Sequence, residues 1–445
     1  MIERGLLYFD EKNKKFDLHP IVRRYAYDRL TAADRMGAHE RLVNYFDAIP
    51  KTEKVNLLED LASVIELYHH MVRAGMFDES RQLYQDHLRQ NLFYQFGAYQ
   101  IVIELLLSLF PYGTDNMPNL KDESAQAWTS HELANSFAMS GQPVHALPLW
   151  NLHHSIRERQ ENKKGLSIGL GAKASIALLP TGALMEAEKC FRQSLELSHG
   201  IDRQFHEAVG RQELGLVLLY RGLWNEAETE FSTSLLISER ESFLQNRNIT
   251  WAYRARRSLF IVRSNESEYQ QSTSTLIQLS ISFARRPLEL ADETANPNSG
   301  YVYPISDYIR AYWLLGAAYR ANNELTLAEE NLSKALNLCR QINLVNLEAE
   351  ILLDLARLRY DEKNYEEAKA LADEALTITE RCGYVLQGAD VNLFLAQYAL
   401  EQEQDKVRTK EYAETALKLA TCDGPPYYYK VAYDEAVAML ERLKV

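Results

Sequence analysis

The chain has 445 residues, of which 46% are hydrophobic and 25% charged, and it carries a formal net charge of −13. This composition indicates a folded protein, and the acidic balance argues against general nucleic-acid binding, which needs a basic face against the phosphates. Because no apolar run approaches the roughly 20 residues of a membrane helix, and the first residues lack a secretory pattern, we expect a cytoplasmic protein without a nucleic-acid or membrane partner.

The first 30 residues predict a β-hairpin followed by a helix. Two short apolar runs, residues 6–9 and 16–18, flank a polar turn. Pro20 is expected in the first turn of the helix, where its missing N–H is not needed. The apolar residues after Pro20 have helical spacing.

From residue 31 onward the pattern predicts helices. One of them ends before Pro50, and a second spans residues 57–71 and ends near Gly75. Helices over 77–88 and 94–110 follow. A cluster of proline and glycine residues at 111–118 then breaks the chain, and we expect a domain boundary after residue 112.

A short pattern recurs about every 40 residues in the last two-thirds of the chain, with a single longer gap of about 60 residues. Each occurrence has a small or polar residue in a first helix, followed by an alanine and a bulky residue in a second helix. A fixed period of this size is typical of a solenoid, in which units bury their apolar faces by stacking. The positions that mark the seven occurrences are Ala134, Ser175, Gly215, Ala255, Gly316, Ala356 and Ala396.

The small residues have a physical role in this interpretation. They let the two helices of a hairpin approach closely, while bulky residues such as Phe231 and Leu332 fill the space between them. An array of this kind presents an extended binding surface rather than a closed catalytic pocket. We therefore predict an all-α fold, an α-solenoid of helical hairpins with a short N-terminal β-hairpin.

Two units deviate from the pattern. Unit two contains Gly165, Gly169, Gly171, Pro180 and Gly182, so its helices are expected to be shifted or kinked. Unit four lacks a clear second-helix signature, and we expect residues 286–304 to loop out as an insert. Residues 427–445 predict a single amphipathic helix that caps the array.

The repeats resemble tetratricopeptide (TPR) repeats of a 40-residue kind. The signature is clearest in residues 214–234 and 312–335, and the resemblance covers about 325 residues. It implies the fold, whereas it says little about function, because many unrelated proteins use such arrays.

The N-terminal part carries a second resemblance. Residues 16–26, Phe-Asp-Leu-His-Pro-Ile-Val-Arg-Arg-Tyr-Ala, are similar to the end of the winged-helix domain of STAND (NB-ARC-like) signalling ATPases. In that family a Met-His-Asp motif stands here, and its histidine approaches the β-phosphate of ADP. Leu18 and Pro20 replace the Met and the Asp in this chain. The resemblance implies that His19 would contact ADP if an ATPase domain were present.

The domain organisation follows from these two resemblances. We expect a winged-helix remnant over residues 1–30, a helical linker domain over 31–112, which resembles the segment that joins ATPase and repeats, and a TPR-like array of about seven repeats and a capping helix over 113–445. No Gly-x-x-x-x-Gly-Lys-Ser/Thr motif occurs, so ATP or ADP would belong to a larger parent protein. Without that nucleotide site, His19 is expected to be a turn histidine at a helix start. We expect the chain to be the carboxy-terminal part of such a parent, and oligomerisation only with the ATPase domain.

The histidine pairs of the sequence do not form a metal-binding motif. Three His-Glu pairs, at His39, His131 and His206, lack the second histidine four residues on that a zinc protease needs. The neighbouring pairs His69–His70 and His153–His154 diverge by about 100° on a helix. We predict no metal site, no cofactor in this chain and no enzymatic activity.

The candidate binding residues are those at the positions of each first helix that face the concave side of a TPR array. Arginine and tryptophan are frequent hot-spot residues at interfaces. The predicted ligand-binding residues are Trp128, His131, Asn135, Gln212, Arg256, Arg310, Trp313, Arg320, Arg357 and Tyr360, with Gln397 in unit seven.

These residues suggest a protein or peptide ligand with an acidic or polar segment. We expect a sensor and regulatory module of a STAND ATPase whose ligand controls activation. Two alternatives stay open, a stand-alone TPR scaffold or adaptor and the sensor of a STAND transcription activator that binds a small inducer. The arginines could instead pair with neighbouring acidic residues on a solvated face.

Overall fold

The structure is a computed structural model that describes residues 6–10, 15–52, 54–198, 203–264, 273–295 and 304–444. The regular secondary structure of these residues is helical, apart from one two-stranded hairpin. The chain divides into two compact units, Met1–Asn91 and Leu92–Val445. The predicted all-α class is therefore confirmed, whereas the three functional domains remain a prediction.

The N-terminal unit begins with the predicted β-hairpin. Strands β1 (Leu7–Asp10) and β2 (Lys15–Leu18) pair antiparallel, with Leu7 opposite Leu18. The predicted turn between the strands lies largely outside the described residues. Helix α1 (Pro20–Arg29) then starts at the predicted proline.

Further helices complete the N-terminal unit. Helix α2 ends before Pro50, and Gly75, at φ +79°, follows the end of helix α3, so both predicted helix ends are confirmed. These helices are α2 (Ala32–Asp47), α3 (Ala62–Arg73), which a short 3₁₀ turn at Leu58–Leu61 precedes, and α4 (Phe77–Leu83), which continues in a π-helical turn at Tyr84–Leu88. A second π-helical turn, Gln90–Gln95, spans the boundary between the two units.

Two histidines belong to the core of this unit. The Nδ1 atoms of the buried His39 and His70 lie 3.0 Å apart, and the Tyr27 hydroxyl lies 3.0 Å from Nε2 of His39. Burial lowers the pKa of both imidazoles. These histidines therefore join helices of the core.

The first α-helix of the second unit is α5 (Tyr99–Leu107), which is shorter than the predicted helix over 94–110. Gly97 breaks that segment because its φ is +56° and its position touches the backbone of Ile342. A Cβ atom at Gly97 would lie 1.9 Å from the Ile342 carbonyl oxygen. Close approach to a distant part of the array thus decides where α5 starts.

Helical hairpins follow one another through the described part of the second unit. In chain order their paired helices are α6 (Glu123–Met139) and α7 (Pro143–Arg159), α8 (Lys163–Lys173) and α9 (Leu184–Leu197), α10 (Arg203–Tyr220) and α11 (Trp224–Arg240), α12 (Leu244–Ser264) and α13 (Thr273–Thr294), α14 (Pro304–Ala321) and α15 (Leu325–Gln341), α16 (Val345–Asp361) and α17 (Tyr365–Cys382), and α18 (Val385–Tyr398) and α19 (Lys406–Ala420). Helix α20 (Lys430–Arg442) follows the last hairpin at the predicted position of the cap.

The marker residues lie where two helices of a hairpin touch. A Cβ atom at Gly215 would lie 2.5 Å from Cε1 of Phe231, and one at Gly316 would lie 2.5 Å from Cγ of Leu332. Both large side chains are fully buried. The predicted pairing of a small residue with a bulky one is therefore confirmed.

Unit two is distorted as its glycines predict. Its first helix, α8, passes into a π-helical turn at Ala174–Leu178 before the turn that contains Pro180 and Gly182. A Cβ atom at Gly169 would lie 2.6 Å from Cδ2 of His153, so this glycine lets α8 approach α7 closely.

The expected insert of unit four is partly wrong. Residues 286–294 belong to helix α13, which continues through Pro287. Ile281, Ala284 and Ala291 are buried along one face of α13, and this burial outweighs the effect of the proline on the helix. Part of the extra length is therefore an extended helix, and residues 296–303 lie outside the described residues.

Hairpins that are distant in sequence also contact each other within the second unit. The Val385 amide donates to the Pro180 carbonyl at 2.8 Å, and the Met185 amide donates to Oδ2 of Asp423 at 2.8 Å. The rings of Tyr220 and Tyr429 pack with their centroids 5.0 Å apart. The end of the array thus packs against units two and three.

The close packing at the small residues allows a prediction of how a substitution changes stability. Gly316→Ala should destabilise the second unit by about 1–3 kcal/mol, because the new methyl group would overlap Leu332. Chemical denaturation followed by circular dichroism measures the change.

The matched control is Gly171→Ala in α8, where the nearest atom to a new Cβ, Oγ of Ser194, is 3.9 Å away. There we expect no loss, or a gain of up to about 1 kcal/mol from higher helix propensity. Equal losses at the two positions would contradict this explanation.

Candidate functional site: a cavity inside the helical array

First helices of successive hairpins bring their side chains together around a cavity of about 280 Å³. Its wall is formed by α12, α14, α16 and α18, the side of the hairpins that the repeat pattern predicts to be concave, together with Ile277 of α13. The lining residues are Arg256, Leu259, Phe260, Val262, Arg263, Ile277, Trp313, Leu314, Ala317, Arg320, Ala321, Glu350, Leu353, Asp354, Arg357, Gln387 and Asp390.

A second cavity of about 600 Å³ adjoins the first. The two cavities share Arg263, Arg320 and Arg357 in their walls. The second cavity extends along α18, the π-helical turn after it at Ala399–Glu403, and α20. The residues that complete its lining are Ser264, Leu393, Phe394, Gln397, Glu401, Val431, Asp434, Glu435, Ala438, Met439 and Arg442. Together they form one candidate site, which we call the inner cavity.

Aromatic rings surround the buried guanidinium of Arg256. Its Cζ atom lies 5.0 Å from the ring centre of Tyr220 and 5.2 Å from those of Phe260 and Trp313. Cations at this distance from ring faces are stabilised by the negative potential of the π system. The rings therefore hold the arginine in place and give this end of the inner cavity an apolar wall.

Glu350 anchors two polar side chains of the wall. Its Oε2 accepts from Nη2 of Arg256 at 2.7 Å, and its Oε1 accepts from Nε2 of Gln387 at 3.2 Å. Burial raises the pKa of Glu350, although the charge of Arg256 opposes that shift. Oε1 of Gln387 and Nε of Arg256 are buried and have no hydrogen-bond partner in the described part of the chain.

The next pair of helices carries a further polar group. Asp354 accepts from Nε1 of Trp313 at 2.8 Å and from Nη1 of Arg357 at 3.0 Å. Arg320 pairs with Asp361 at 2.8 Å. Burial and the nearby charge of Arg357 lower the pKa of Arg320. Arg320 and Arg357 therefore each have one aspartate partner where the two cavities meet.

Arg263 joins α12 to α18 and α20. Its Nη2 lies 2.6 Å from Oδ1 of Asp390 and 2.8 Å from Oε2 of Glu435. The Tyr429 hydroxyl donates to Oδ2 of Asp390 at 2.9 Å. Burial would raise the pKa of Asp390, but the charges of Arg263 and Arg357 hold it below the usual value. This group of four residues, the Arg263 cluster, links the fourth unit to the end of the array.

The structure brings together five of the residues predicted to bind a ligand. Arg256, Trp313, Arg320 and Arg357 line the first cavity, and Gln397 lines the second. Tyr360 lies next to the site, since its hydroxyl donates at 2.5 Å to Glu401, which lines the second cavity. The predicted positions in units four to six thus lie on one face, and their role in binding remains a prediction.

Gln212 and Arg310 belong to a neighbouring polar cluster instead. Oε1 of the buried Gln212 accepts from Nδ2 of Asn246 at 2.5 Å, and its Nε2 donates to Oε1 of Glu213 at 2.8 Å. Arg310 pairs with Asp307 at 3.2 Å. Burial raises the pKa of Asp307 to about 6 despite that pairing. These two predicted residues therefore have structural partners of their own.

The predicted residues of unit one lie elsewhere. Trp128, His131 and Asn135 are on α6, and none of them lines the two described cavities. Nδ2 of Asn135 lies 3.0 Å from Nε2 of His131, and the His131 ring packs 5.0 Å from that of His153. His131 and Asn135 belong to a histidine-rich packing between α6 and α7.

His19 caps helix α1. Its Nδ1 accepts from the Ile21 amide at 3.3 Å, and its own amide donates to the Leu6 carbonyl at 3.0 Å. The side chain is exposed. In this chain the residue therefore acts as a turn histidine at a helix start, as expected in the absence of a nucleotide site.

The acidic half of the inner cavity was missing from the predicted site. Glu350 and Asp390 occupy the first of the concave positions in units six and seven, so the repeat count contains a signal for both. Arg263 lies beyond the counted positions, and Glu435 and Tyr429 follow the last repeat. The repeat pattern therefore has no signal for the contacts made by the end of the chain.

Residues 307–406 match the tetratricopeptide repeat family model. Among solved structures, the chain is similar to the STAND protein with a tetratricopeptide repeat sensor from Pyrococcus horikoshii, with 16% identity and a TM-score of 0.41 over 94% of this chain and 57% of that one. It is similar to a Rap protein complexed with competence and sporulation factor, with 13% identity and a TM-score of 0.45 over 87% of this chain and 97% of that one. A third similar structure is aspartyl phosphate phosphatase F from Bacillus subtilis, with 12% identity and a TM-score of 0.47 over 83% of this chain and 96% of that one.

Comparison with curated proteins gave no significant match. The chain spans less than two thirds of the length of the STAND protein. Within the described ranges, no helix combines the length and apolarity needed to cross a bilayer. The same ranges contain no group of three or more His, Cys, Asp or Glu side chains arranged to hold a metal ion. The matched repeats suggest a protein-binding module.

The Arg263 cluster makes a stability prediction. Arg263→Met should destabilise the second unit by about 3–5 kcal/mol, because it leaves the carboxylate of Asp390 buried without its cation. Urea denaturation measures the loss, and the double variant Arg263→Met/Asp390→Asn should recover part of it. As a control, Arg286→Met removes an exposed pair with Glu289 and should cost less than about 1 kcal/mol. A loss no larger than that of the control would contradict the stabilising role of Arg263.

The histidine packing predicts a pH dependence of stability. Burial, and then the charge of His153, lowers the pKa of His154 to about 4. A lowered pKa favours the neutral imidazole in the folded state, so its stabilisation is present above the unfolded value of about 6.5 and is lost as the pH falls towards 4. We expect a loss of about 1–3 kcal/mol from this residue over that window.

The variant His154→Gln should flatten this part of the stability curve, measured by denaturation at a series of pH values. The control is His145→Gln, which changes an exposed histidine of the same helix and should leave the curve unchanged. Parallel curves for wild type and His154→Gln would show that another group controls the acid sensitivity.

Proposed function

We propose that this chain is the ligand-sensing and regulatory module of a STAND ATPase, and that the inner cavity recognises a segment of a protein or peptide. The observation that supports the binding site is the convergence of Arg256, Trp313, Arg320 and Arg357 on one cavity, from three successive units. The link to STAND ATPases is supported by the sequence around His19. The division into winged-helix remnant, linker domain and array belongs to the same proposal.

The charges of the inner cavity favour a polar ligand over a purely acidic one. Arginine and carboxylate side chains alternate in its wall, and Arg256, Arg263, Arg320 and Arg357 each have an acidic partner. Such pairs fix the direction of each guanidinium, which leaves its other N–H groups available in a defined geometry. A ligand with both donors and acceptors fits this wall better than a run of negative charges.

The Arg263 cluster supports a route from binding to regulation. A ligand in the inner cavity contacts hairpins of units four to seven and the capping helix at the same time. If one arrangement of these helices binds the ligand better than another, ligand binding shifts the equilibrium between them. An ATPase attached to the array would respond to that shift in the parent protein.

A second candidate is the sensor of a STAND transcription activator that binds a small inducer. Its support is the size of the two cavities, about 280 and 600 Å³, which is typical of pockets for small molecules. A stand-alone TPR scaffold or adaptor needs the same surface without a nucleotide switch. In all three cases this chain itself is a binding module and carries out no reaction.

Trp313 and Arg320 provide the test of the site. We expect Trp313→Ala or Arg320→Glu to weaken ligand or partner binding by about 2 kcal/mol or more, because both side chains face the inner cavity. Calorimetric titration with partners recovered by the wild-type chain measures the affinity. The matched control is Trp128→Ala on α6, which does not line the described cavities. Unchanged affinity in both cavity variants would remove these residues from the site.

A further inference from the structure

Four glycines of the second unit mark a line of contacts between parts of the array that lie far apart in the chain. All four have positive φ angles, between +56° and +83°, and they follow one another at intervals of about 40 residues. These glycines are Gly97, Gly141, Gly182 and Gly222. A Cβ atom at each would lie between 1.9 and 2.7 Å from a residue much later in the chain, and these residues are, in the same order, Ile342, Cys382, Val385 and Lys430. We call this line of contacts the seam.

The seam follows the repeat geometry. Gly141 and Gly182 lie in the turns of the first two hairpins, and a Cβ atom there would contact Val345 and Val385 respectively, about 200 residues or five repeats later. These valines begin α16 and α18, the first helices of units six and seven. Lys430 likewise begins α20 and contacts the turn of unit three. Turns of units one to three therefore meet the starts of units six and seven and of the capping helix.

The seam can open at a lower cost than a hairpin. Its hydrogen bonds include those from the Val385 amide to the Pro180 carbonyl and from the Met185 amide to Oδ2 of Asp423, both at 2.8 Å. When the seam opens, each of these groups can exchange its protein partner for water, so the net loss of free energy is small. The two helices of a hairpin, in contrast, are held together by large side chains that are fully buried, such as Phe231. Hairpins can therefore stay folded while the seam opens.

One end of the seam belongs to the wall of the inner cavity. Lys430, which contacts Gly222, is the first residue of α20, and Asp434 and Glu435 of the same helix line the second cavity. Arg263 of α12 lines that cavity too and pairs with Glu435 at 2.8 Å. If the seam opens, α20 moves away from α12, and these two parts of the wall separate.

We propose that the seam is a conformational switch that controls access to the inner cavity. The closed form is the one described above, in which Arg263 of α12 and Glu435 of α20 complete the second cavity. The rings of Tyr220 and Tyr429, which pack at one end of the seam, make the closed form the major one without ligand. A ligand that contacts both α12 and α20 stabilises it further. This inference rests on the proposed function, since it states how the proposed ligand changes the array.

Native cysteines report whether the seam opens. Cys382 is 5% exposed at the seam, whereas Cys190 is 1% exposed in the hydrophobic core around α8 and α9. Labelling of the folded chain with N-ethylmaleimide, followed by peptide mass spectrometry, measures the rate at each thiol. We expect Cys382 to react at least about tenfold faster than Cys190, because only a larger unfolding event exposes Cys190.

A pair of matched variants assigns this opening to the seam. Asp423→Ala removes the acceptor of the Met185 amide and should speed the labelling of Cys382 about tenfold, because a charged hydrogen bond that favours the closed form is lost. The control Asp373→Ala removes an exposed carboxylate from α17, the helix that carries Cys382, and should leave the rate unchanged. A thiol placed in the wall of the second cavity by Val431→Cys should also react faster when Asp423→Ala is added.

A disulfide across the seam provides the opposite test. A Cβ atom at Gly141 would lie 3.6 Å from Cβ of Cys382. This separation is within the range of about 3.5–4.5 Å that a disulfide needs, so Gly141→Cys can be linked to the native cysteine. In the combination with Val431→Cys, the oxidised form should label the cavity thiol about tenfold more slowly than the same protein after reduction and removal of the reductant.

Three outcomes would overturn the switch. Cys382 could react no faster than Cys190, the two aspartate variants could have equal effects, or the cavity thiol could react equally in the oxidised and reduced forms. If Gly141→Cys does not fold, the aspartate comparison decides alone, with the cavity thiol of Val431→Cys as its second readout.

None of these measurements uses a ligand, so the switch and the proposed function can fail separately. If the seam measurements fail while partner binding stays sensitive to Trp313→Ala, the binding site stands and only the switch is wrong. If the seam opens as expected but Trp313→Ala changes no partner affinity, the switch stands and the proposed site is wrong.

Discussion

The close contact between the two helices of each hairpin is the constraint on which the rest of the structure depends. At Gly215 and Gly316 this contact leaves no room for a single methyl group. A small residue must therefore recur at the same place in each unit, and this need produces the period of about 40 residues. Because the hairpins then repeat with similar geometry, the same positions of successive first helices face the same side.

That regular geometry explains how single side chains from separate units form one site. Arg256, Trp313 and Arg357 come from units four, five and six, yet they line one cavity. Inside the cavity, low exposure makes uncompensated charge costly, and carboxylates from the next units supply the compensation. The result is a wall of paired charges and aromatic rings, in which only a few polar atoms are left for a ligand.

Much of the fold follows from local patterns in the sequence. The β-hairpin, the helix ends at Pro50 and Gly75 and the small-to-bulky pairs are visible because neighbouring residues determine them. Prediction from the sequence was wrong where contacts with residues distant in the chain determine the local structure. Helix α13 continues through Pro287 because its apolar face is buried, and α5 starts late because Gly97 touches the backbone of Ile342.

The same distinction applies to the candidate site. The positions of each first helix that face the concave side of the array include Arg256, Trp313, Arg320 and Arg357, because the repeat geometry places these residues on one side. The same set of positions includes Glu350 and Asp390, but the two acidic residues were not predicted because the selection favoured basic and aromatic side chains. Arg263 and the residues of α20 follow no repeat rule, because their positions depend on how the end of the array packs against its middle.

This packing has a consequence for how the array folds. Repeat arrays whose units contact only their neighbours unfold in steps, and each unit behaves as a nearly independent element. Here Arg263 bonds to residues 127 and 172 positions further along the chain. Contacts of such high contact order form late in folding and slow it, because long loops must close first. They also couple the fourth unit to the last helix, so the middle of the array and its end should gain and lose structure together.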